Sequence, residues 1–131
     1  MPRRAKTKLR TALRLGRTWV DEAGRSLTFS IALSPPHPVA RWPELTLLAA
    51  RAVADEIGAG ASVKDPNDVL VGGRKVAGVL GDAGERVILG IGINVGAAPW
   101  PGAGFVDGDR LRLLTGVLER FERAYVSWAT P

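Results

Sequence analysis

The chain has 131 residues, of which 46% are hydrophobic and 24% charged, enough for one buried core and too little for two. It has no cysteine and a single histidine, His37, which excludes disulfides, thiol nucleophiles and cysteine or multi-histidine metal sites. No apolar run approaches the roughly 20 residues that span a bilayer, and the basic N-terminus lacks the apolar segment of a secretory signal. We therefore expect a soluble, cytoplasmic, single-domain protein with no membrane partner.

The positive charge is concentrated at the N-terminus. Seven of the 18 basic residues precede the first acidic residue, Asp21, in a chain of net charge +5. We interpret residues 1–10 as a solvated basic tail, with an arm that contacts polyphosphate or nucleic acid as the alternative. Arg14 and Arg17 differ from the tail because they stand close to Trp19. Guanidinium groups bind phosphate or carboxylate and an indole face stacks on a base, so this grouping suits a nucleotide.

The first predicted elements are a strand and a helix. Residues 26–33 alternate apolar and small polar side chains, which predicts a half-buried strand. Pro43 and Glu44 then open a helix that runs to about Ile57 and ends at Gly58. Residues 61–64 form the next short strand.

The middle of the chain predicts an antiparallel meander. Strands at residues 69–71 and 75–80 are joined by the Gly72-Gly73 dipeptide, which accepts the positive φ angles of a tight hairpin. A turn is predicted at residues 81–85 and a returning strand at residues 86–94. With the helices, these strands indicate an α+β fold.

The C-terminal part predicts a loop and a helix. Glycine, proline and alanine dominate residues 96–108, which favours a loop over a helix. A final helix starts near Asp109, with Asp107 or Asp109 as its cap. Its core-facing stripe is predicted to consist of Leu111, Leu114, Leu118, Phe121, Tyr125 and Trp128.

Two glycine-rich runs, at residues 64–78 and 90–95, form the predicted site. Glycine inside a strand gives nothing to pack, so repeated glycines indicate close approach by a ligand or by another backbone. The second run does not fit a dinucleotide-binding motif, because Val95 occupies the position of the third glycine and the run ends a strand.

These runs carry a resemblance to a known family. Residues 64–68, 73–78 and 90–95 resemble, in the same order, the Lys-Trp-Pro-Asn-Asp, Lys-x-Ala-Gly and Gly-Ile-Gly-x-Asn-Val motifs of the catalytic domain of biotin protein ligases. Residues 14–19 resemble the end of its Gly-Arg-Gly-Arg-x-Gly-Arg-x-Trp loop. The resemblance covers residues 11–128 and implies a mixed or antiparallel sheet covered by helices, of the biotin/lipoate ligase type, which is similar to class II synthetases.

The resemblance implies a two-step ligation. The carboxylate of biotin attacks the α-phosphate of ATP to give biotinyl-5′-AMP and pyrophosphate, and a lysine of the biotin carboxyl carrier domain of an acyl-CoA carboxylase then takes the biotinyl group. Carboxylate and triphosphate repel each other, so fixed cations or Mg²⁺ must hold both.

The resemblance also implies roles for individual residues. Lys75 and Arg14 are the expected catalytic and biotin-binding residues, and Gly78 lets the biotin rings lie against backbone. Arg17 and Lys64 face the triphosphate. Trp19 packs on adenine, Asn67 and Asn94 hydrogen-bond the nucleotide, and Asp68 holds Mg²⁺ or orients a lysine.

The same residues have simpler alternatives. Asn67 and Asp68 follow Pro66 and alternatively form an Asx turn. Lys75 is alternatively a solvated hairpin lysine. The sequence also departs from the family pattern, since residues 11–13 lack the first glycines of the loop and Asp65 replaces its usual Trp.

Several family segments have no counterpart in the sequence. These are a Ser-Thr-Asn run with its strand and helix, an N-terminal helix-turn-helix and a C-terminal β-barrel. We therefore interpret residues 11–131 as an incomplete catalytic domain. The alternatives are a catalytically impaired protein that binds ATP or adenylate, and one part of a split ligase that a second chain or a second copy completes at exposed strand edges. Nucleic acid is not an expected partner, because no recognition helix is present.

Overall fold

In the described part of the chain, five antiparallel strands form one sheet, and two helices cover one of its faces. The computed structural model describes residues 26–64 and 67–131, so the basic tail, Arg14, Arg17 and Trp19 lie outside the described residues. The elements are β1 (Ser26–Leu33), a 3-10 turn (Val39–Arg41), α1 (Glu44–Ile57), β2 (Ala61–Lys64), β3 (Asp68–Val71), β4 (Arg74–Ala83), β5 (Val87–Asn94) and α2 (Arg110–Ala129). The predicted α+β class is confirmed.

The strand order is β1-β5-β4-β3-β2, and every pair is antiparallel. Strands β2 to β5 form the predicted meander, and β1 pairs with β5. Gly72 and Gly73 have φ angles of 60° and 78°, as a two-residue hairpin between right-twisted strands requires. The turn predicted at residues 81–85 is too long, because β4 continues to Ala83 and Gly81 pairs with Leu89. Pairing with β5 satisfies the backbone there, and it overrides the turn preference of glycine and aspartate.

The core lies between the sheet and α1. Directly paired residues of antiparallel strands point to the same face, so Phe29, Ile91 and Val79 form one row across three strands. All three are fully buried, as are Leu45 and Val53 of α1. Apolar burial on this face is the main stabilising contribution to the fold.

Helix α2 packs on α1 with a face that includes most of the predicted stripe. Asp109 caps it by accepting hydrogen bonds from the backbone N–H groups of residues 111 and 112 at 2.8 and 3.2 Å. Leu111 is 70% exposed, whereas Leu113, Val117 and Phe121 are buried. The other five predicted residues pack against the core, so the observed stripe is the predicted one without Leu111 and widened by Leu113 and Val117. Within the described residues, neither helix combines the length and apolarity needed to cross a membrane.

The segment between β5 and α2 is a loop, as predicted, and it is tied to the sheet. The N–H of Val106 donates to the carbonyl of Asn94 at 2.9 Å, and the N–H of Gly96 donates to the carbonyl of Val106 at 2.9 Å. The N–H of Gly104 donates to the carbonyl of Lys75 at 2.9 Å. We call residues 96–106 the 96–106 loop; it closes over the end of β5 and the start of β4.

A polar and aromatic corner fixes the C-terminal end of α2. The Nε2 atom of His37 lies 2.6 Å from the carbonyl oxygen of Trp128, and the two rings meet edge to face. The indole N–H of Trp128 donates to Glu44 at 3.0 Å, and Arg41 donates two hydrogen bonds to the same carboxylate. The single histidine is therefore used to hold α2 against the segment that precedes α1.

The carboxylate at this corner predicts a pH effect on stability. Hydrogen bonds, first from Arg41 and then from Trp128, lower the pKa of Glu44. A group with a lowered pKa stabilises the fold above its unfolded-state pKa, and this contribution is lost as the pH falls through its folded-state pKa. Glu44→Gln should therefore make the fall in thermal midpoint between about pH 5 and pH 3 shallower. Glu85→Gln, in the exposed turn before β5, is the control, and identical curves for the Glu44 variant and the native chain would contradict the prediction.

The contact between the 96–106 loop and β4 predicts a packing effect. A Cβ added at Gly104 would lie 3.0 Å from Arg74 Cβ and 3.0 Å from Val76 Cγ1. The first atom is fixed to the backbone and the second belongs to a buried side chain, so neither retreats easily. Gly104→Ala should lower the free energy of unfolding by about 1–3 kcal/mol in urea titrations. Gly84→Ala is the control, because nothing lies within 4 Å of its added Cβ; equal stability of the two variants would show that the contact is loose.

Candidate functional site

On the face of the sheet opposite the helices, a row of paired residues crosses the strands. The two residues at the centre of this row are glycines. Thr28 pairs with Gly92, Gly92 with Gly78, and Gly78 with Asp68. Lys64 continues the row on β2, where it pairs with Asp68. Because the two central positions are glycines, a ligand is able to lie directly against the backbone.

A cavity of about 460 Å³ lies over this row, within the range of small-molecule sites. Residues of β1, β3, β4, β5 and the 96–106 loop line it. The structure brings five of the predicted site residues to this one cavity: Asn67, Asp68, Lys75, Gly78 and Asn94. Lys64 is exposed at the edge of the sheet and is not among the lining residues.

Lys75 and Asp68 form an ion pair in the cavity, with 3.1 Å between Nζ and Oδ1. Their side chains are 45% and 30% exposed, so a ligand is able to reach both. The lysine side chain lies over Gly78, where an added Cβ would be 3.2 Å from Lys75 Cε and 3.3 Å from Nζ. Gly78 therefore makes room for the folded-back lysine, which is held at the cavity instead of extending into solvent.

The predicted alternative role of Asp68, holding Mg²⁺, stays a prediction. Among residues 26–64 and 67–131 there is no group of three or more histidine or acidic side chains that could hold a metal ion. The Oδ1 atom of Asp68 already contacts the lysine ammonium. Mg²⁺ commonly binds through one or two carboxylates together with substrate phosphates and water. Most ligands of a Mg²⁺ ion at Asp68 would therefore come from the triphosphate and from water.

Asn94 ends β5 beside the cavity, and its amide nitrogen is already engaged. It donates to the carbonyl of Gly104 at 2.9 Å and lies 3.5 Å from the carbonyl of Lys75. The asparagine thus contacts the 96–106 loop, a use that the sequence did not predict. Its predicted contact with a nucleotide stays a prediction.

Sequence reasoning missed the wall of the cavity that the 96–106 loop provides. Ala97, Pro99 and Trp100 line the cavity, and Trp100 is 57% exposed. Trp100 stands between two prolines in a segment of small residues. A large aromatic residue in such a segment was the available signal, because tryptophan is highly buried on average.

The other missed residues lie on β1. Ser26 and Thr28 line the cavity with their hydroxyl oxygens 3.5 Å apart. Small polar residues on the exposed face of a strand are ordinary, so nothing in the sequence distinguished them. Arg14, Arg17 and Trp19 lie outside the described residues, and their predicted roles are untested by this geometry.

Comparison with known proteins places the chain in a family. A model described as the biotin/lipoate A/B protein ligase family matches residues 13–95, more than half of the chain. The bifunctional ligase/repressor BirA of Bacillus spizizenii is 41% identical over 92 residues, which cover 63% of this chain and 28% of that protein. The biotin–[acetyl-CoA-carboxylase] ligase of Mycobacterium tuberculosis is 33% identical over 133 aligned positions, covering 88% of this chain and 50% of that protein.

A solved structure agrees with the sequence comparison. The biotin protein ligase of Aquifex aeolicus in complex with biotin and ATP superposes with a TM-score of 0.73 and 30% identity, over 88% of this chain and 56% of that one. The chain thus spans about half, or less, of the length of these relatives. The fold is that of the biotin/lipoate ligases, and the chain belongs to the biotin/lipoate A/B protein ligase family.

Proposed function

We propose that the chain carries out ATP-dependent biotin ligation: it forms biotinyl-5′-AMP from biotin and ATP and transfers the biotinyl group to a lysine of a biotin carboxyl carrier domain. The main support is the Lys75 ammonium, fixed by Asp68 at 3.1 Å over a cavity whose floor contains paired glycines. An anchored cation above open backbone suits a ligand with anionic groups and a flat ring system.

In the first step, an oxygen of the biotin carboxylate forms a bond to the α-phosphorus of ATP. The bond from that phosphorus to the bridging oxygen breaks, and pyrophosphate leaves with the electron pair. Both reactants are anionic, so the Lys75 ammonium reduces their repulsion and stabilises the charge that develops on the phosphoryl oxygens. Asp68 keeps the ammonium in place, so that little reorganisation is needed during the reaction.

In the second step, the neutral amine of the acceptor lysine attacks the acyl carbon of the adenylate. The bond between that carbon and the phosphate oxygen breaks, AMP leaves with the electron pair, and the attacking nitrogen releases one proton to solvent as the amide forms. The Lys75 ammonium stabilises the departing phosphate by the same electrostatic effect.

Five further residues bind the two substrates. Arg14 closes over biotin and phosphate, while Arg17 and Lys64 contact the triphosphate. Trp19 packs on adenine and Asn67 hydrogen-bonds the nucleotide. Mg²⁺, when bound with the triphosphate, supplies further charge neutralisation.

The central test replaces the cation. Lys75→Ala should lower biotin transfer by about 10²-fold or more, because it removes preorganised charge from the reaction. The full chain is incubated with ATP, Mg²⁺, biotin and a biotin carboxyl carrier domain, and transfer is measured by streptavidin blotting. Arg86→Gln, which removes an exposed charge before β5, is the matched control. Equal transfer by Lys75→Ala and the native chain would contradict the proposal, and ATP binding without transfer by the native chain would favour the non-catalytic alternative.

A second test blocks the cavity floor without removing charge. The Cβ of Gly78→Ala would contact Cε and Nζ of Lys75 and should push the lysine away from Asp68. The lysine tip is flexible, so the free energy of unfolding should change little. Affinity for biotinyl-5′-AMP should fall about fivefold or more, which corresponds to about 1 kcal/mol of overpacking. Calorimetric titration measures the affinity; an unchanged value in a folded variant would show that the ligand does not depend on this floor.

A further inference from the structure

The 96–106 loop is fixed at three points that surround Trp100. The backbone bonds between Asn94, Val106 and Gly96 close the base of the loop. Gly104 is held on both sides, since its N–H donates to the carbonyl of Lys75 and its carbonyl accepts from the side chain of Asn94, each at 2.9 Å.

A short turn connects Trp100 to Gly104. The N–H of Ala103 donates to the carbonyl of Trp100 at 3.2 Å, and Ala103 is buried. The position of the Trp100 backbone therefore follows that of Gly104. The indole itself is largely exposed and forms part of the cavity wall, so its position is set by the loop more than by side-chain packing.

We infer that Asn94 is a positioning residue, which acts on the ligand by holding Gly104 and with it the Trp100 wall of the cavity. This inference rests on the proposed function for the identity of the ligand. The amide nitrogen of Asn94 is the donor that the carbonyl of Gly104 requires. An aspartate in its place is of the same size, but its ionised carboxylate accepts only and repels that carbonyl.

The first measurement needs no ligand. In the full chain, Asn94→Asp and Asn94→Ala should each speed hydrogen exchange of the Gly104 amide by about 3- to 10-fold, as expected for the loss of one hydrogen bond that restrains the loop. Gly84→Ala should leave this exchange unchanged. Exchange at Gly104 that is the same in the native chain and in both Asn94 variants would overturn the inference.

The second measurement separates positioning from direct contact. Asn94→Ala, which adds no charge beside the anionic ligand, should weaken binding of biotinyl-5′-AMP by about 3- to 10-fold in the native background. In a Trp100→Ala background it should change the affinity less than about twofold, because the wall through which Asn94 acts has been removed. The same loss in both backgrounds would show that Asn94 contacts the ligand directly and would overturn the inference.

The two measurements also separate this inference from the proposed function. If the native chain does not bind biotinyl-5′-AMP, the proposed function fails, and the exchange of the Gly104 amide still decides whether Asn94 holds the loop. Circular dichroism of each variant verifies that the chain is folded before either measurement is interpreted.

Discussion

The candidate site depends on one steric constraint, the absence of side chains at the centre of one sheet face. Gly78 and Gly92 are paired on neighbouring strands, and glycine within a strand is unfavourable by about 0.5–1 kcal/mol relative to alanine. The opposite face offsets this cost, because Phe29, Ile91 and Val79 are fully buried there beneath α1. Stability and ligand access are thus assigned to opposite faces of the same strands.

The ion pair in the cavity contributes to orientation more than to stability. Exposed or partly exposed pairs contribute about 0–1 kcal/mol, and both Lys75 and Asp68 are accessible to solvent. Removing this pair therefore has little effect on the core, whereas the position of the ammonium above Gly78 depends on it. Because the ion pair and the core are separate, Lys75 and Asp68 can be replaced without loss of the fold.

The sequence predicted the elements well wherever the pattern is local. Period-2 strands, the Gly72-Gly73 hairpin and the cap at Asp109 depend on neighbouring residues and are confirmed. The core-facing stripe of α2 was predicted except at its edges: Leu111 is exposed, and the buried Leu113 and Val117 were missed, because helical periodicity does not fix the width of a stripe. The cavity wall was missed because it depends on hydrogen bonds between residues 10 and about 30 positions apart, such as those joining Gly104 to Asn94 and Lys75, which no local pattern encodes.

The charge and the shape of the cavity are coupled through Lys75. Its ammonium pairs with Asp68, and its backbone carbonyl accepts the hydrogen bond from Gly104 that anchors the 96–106 loop. A shift at the start of β4 would therefore move the cation and the Trp100 wall together. Asn94 strengthens the attachment of the loop to Lys75, because its side-chain amide donates to the carbonyl of Gly104. Displacement of Gly104 would in turn move the Trp100 wall relative to the ammonium, because the carbonyl of Lys75 and the amide of Asn94 hold the two sides of this residue.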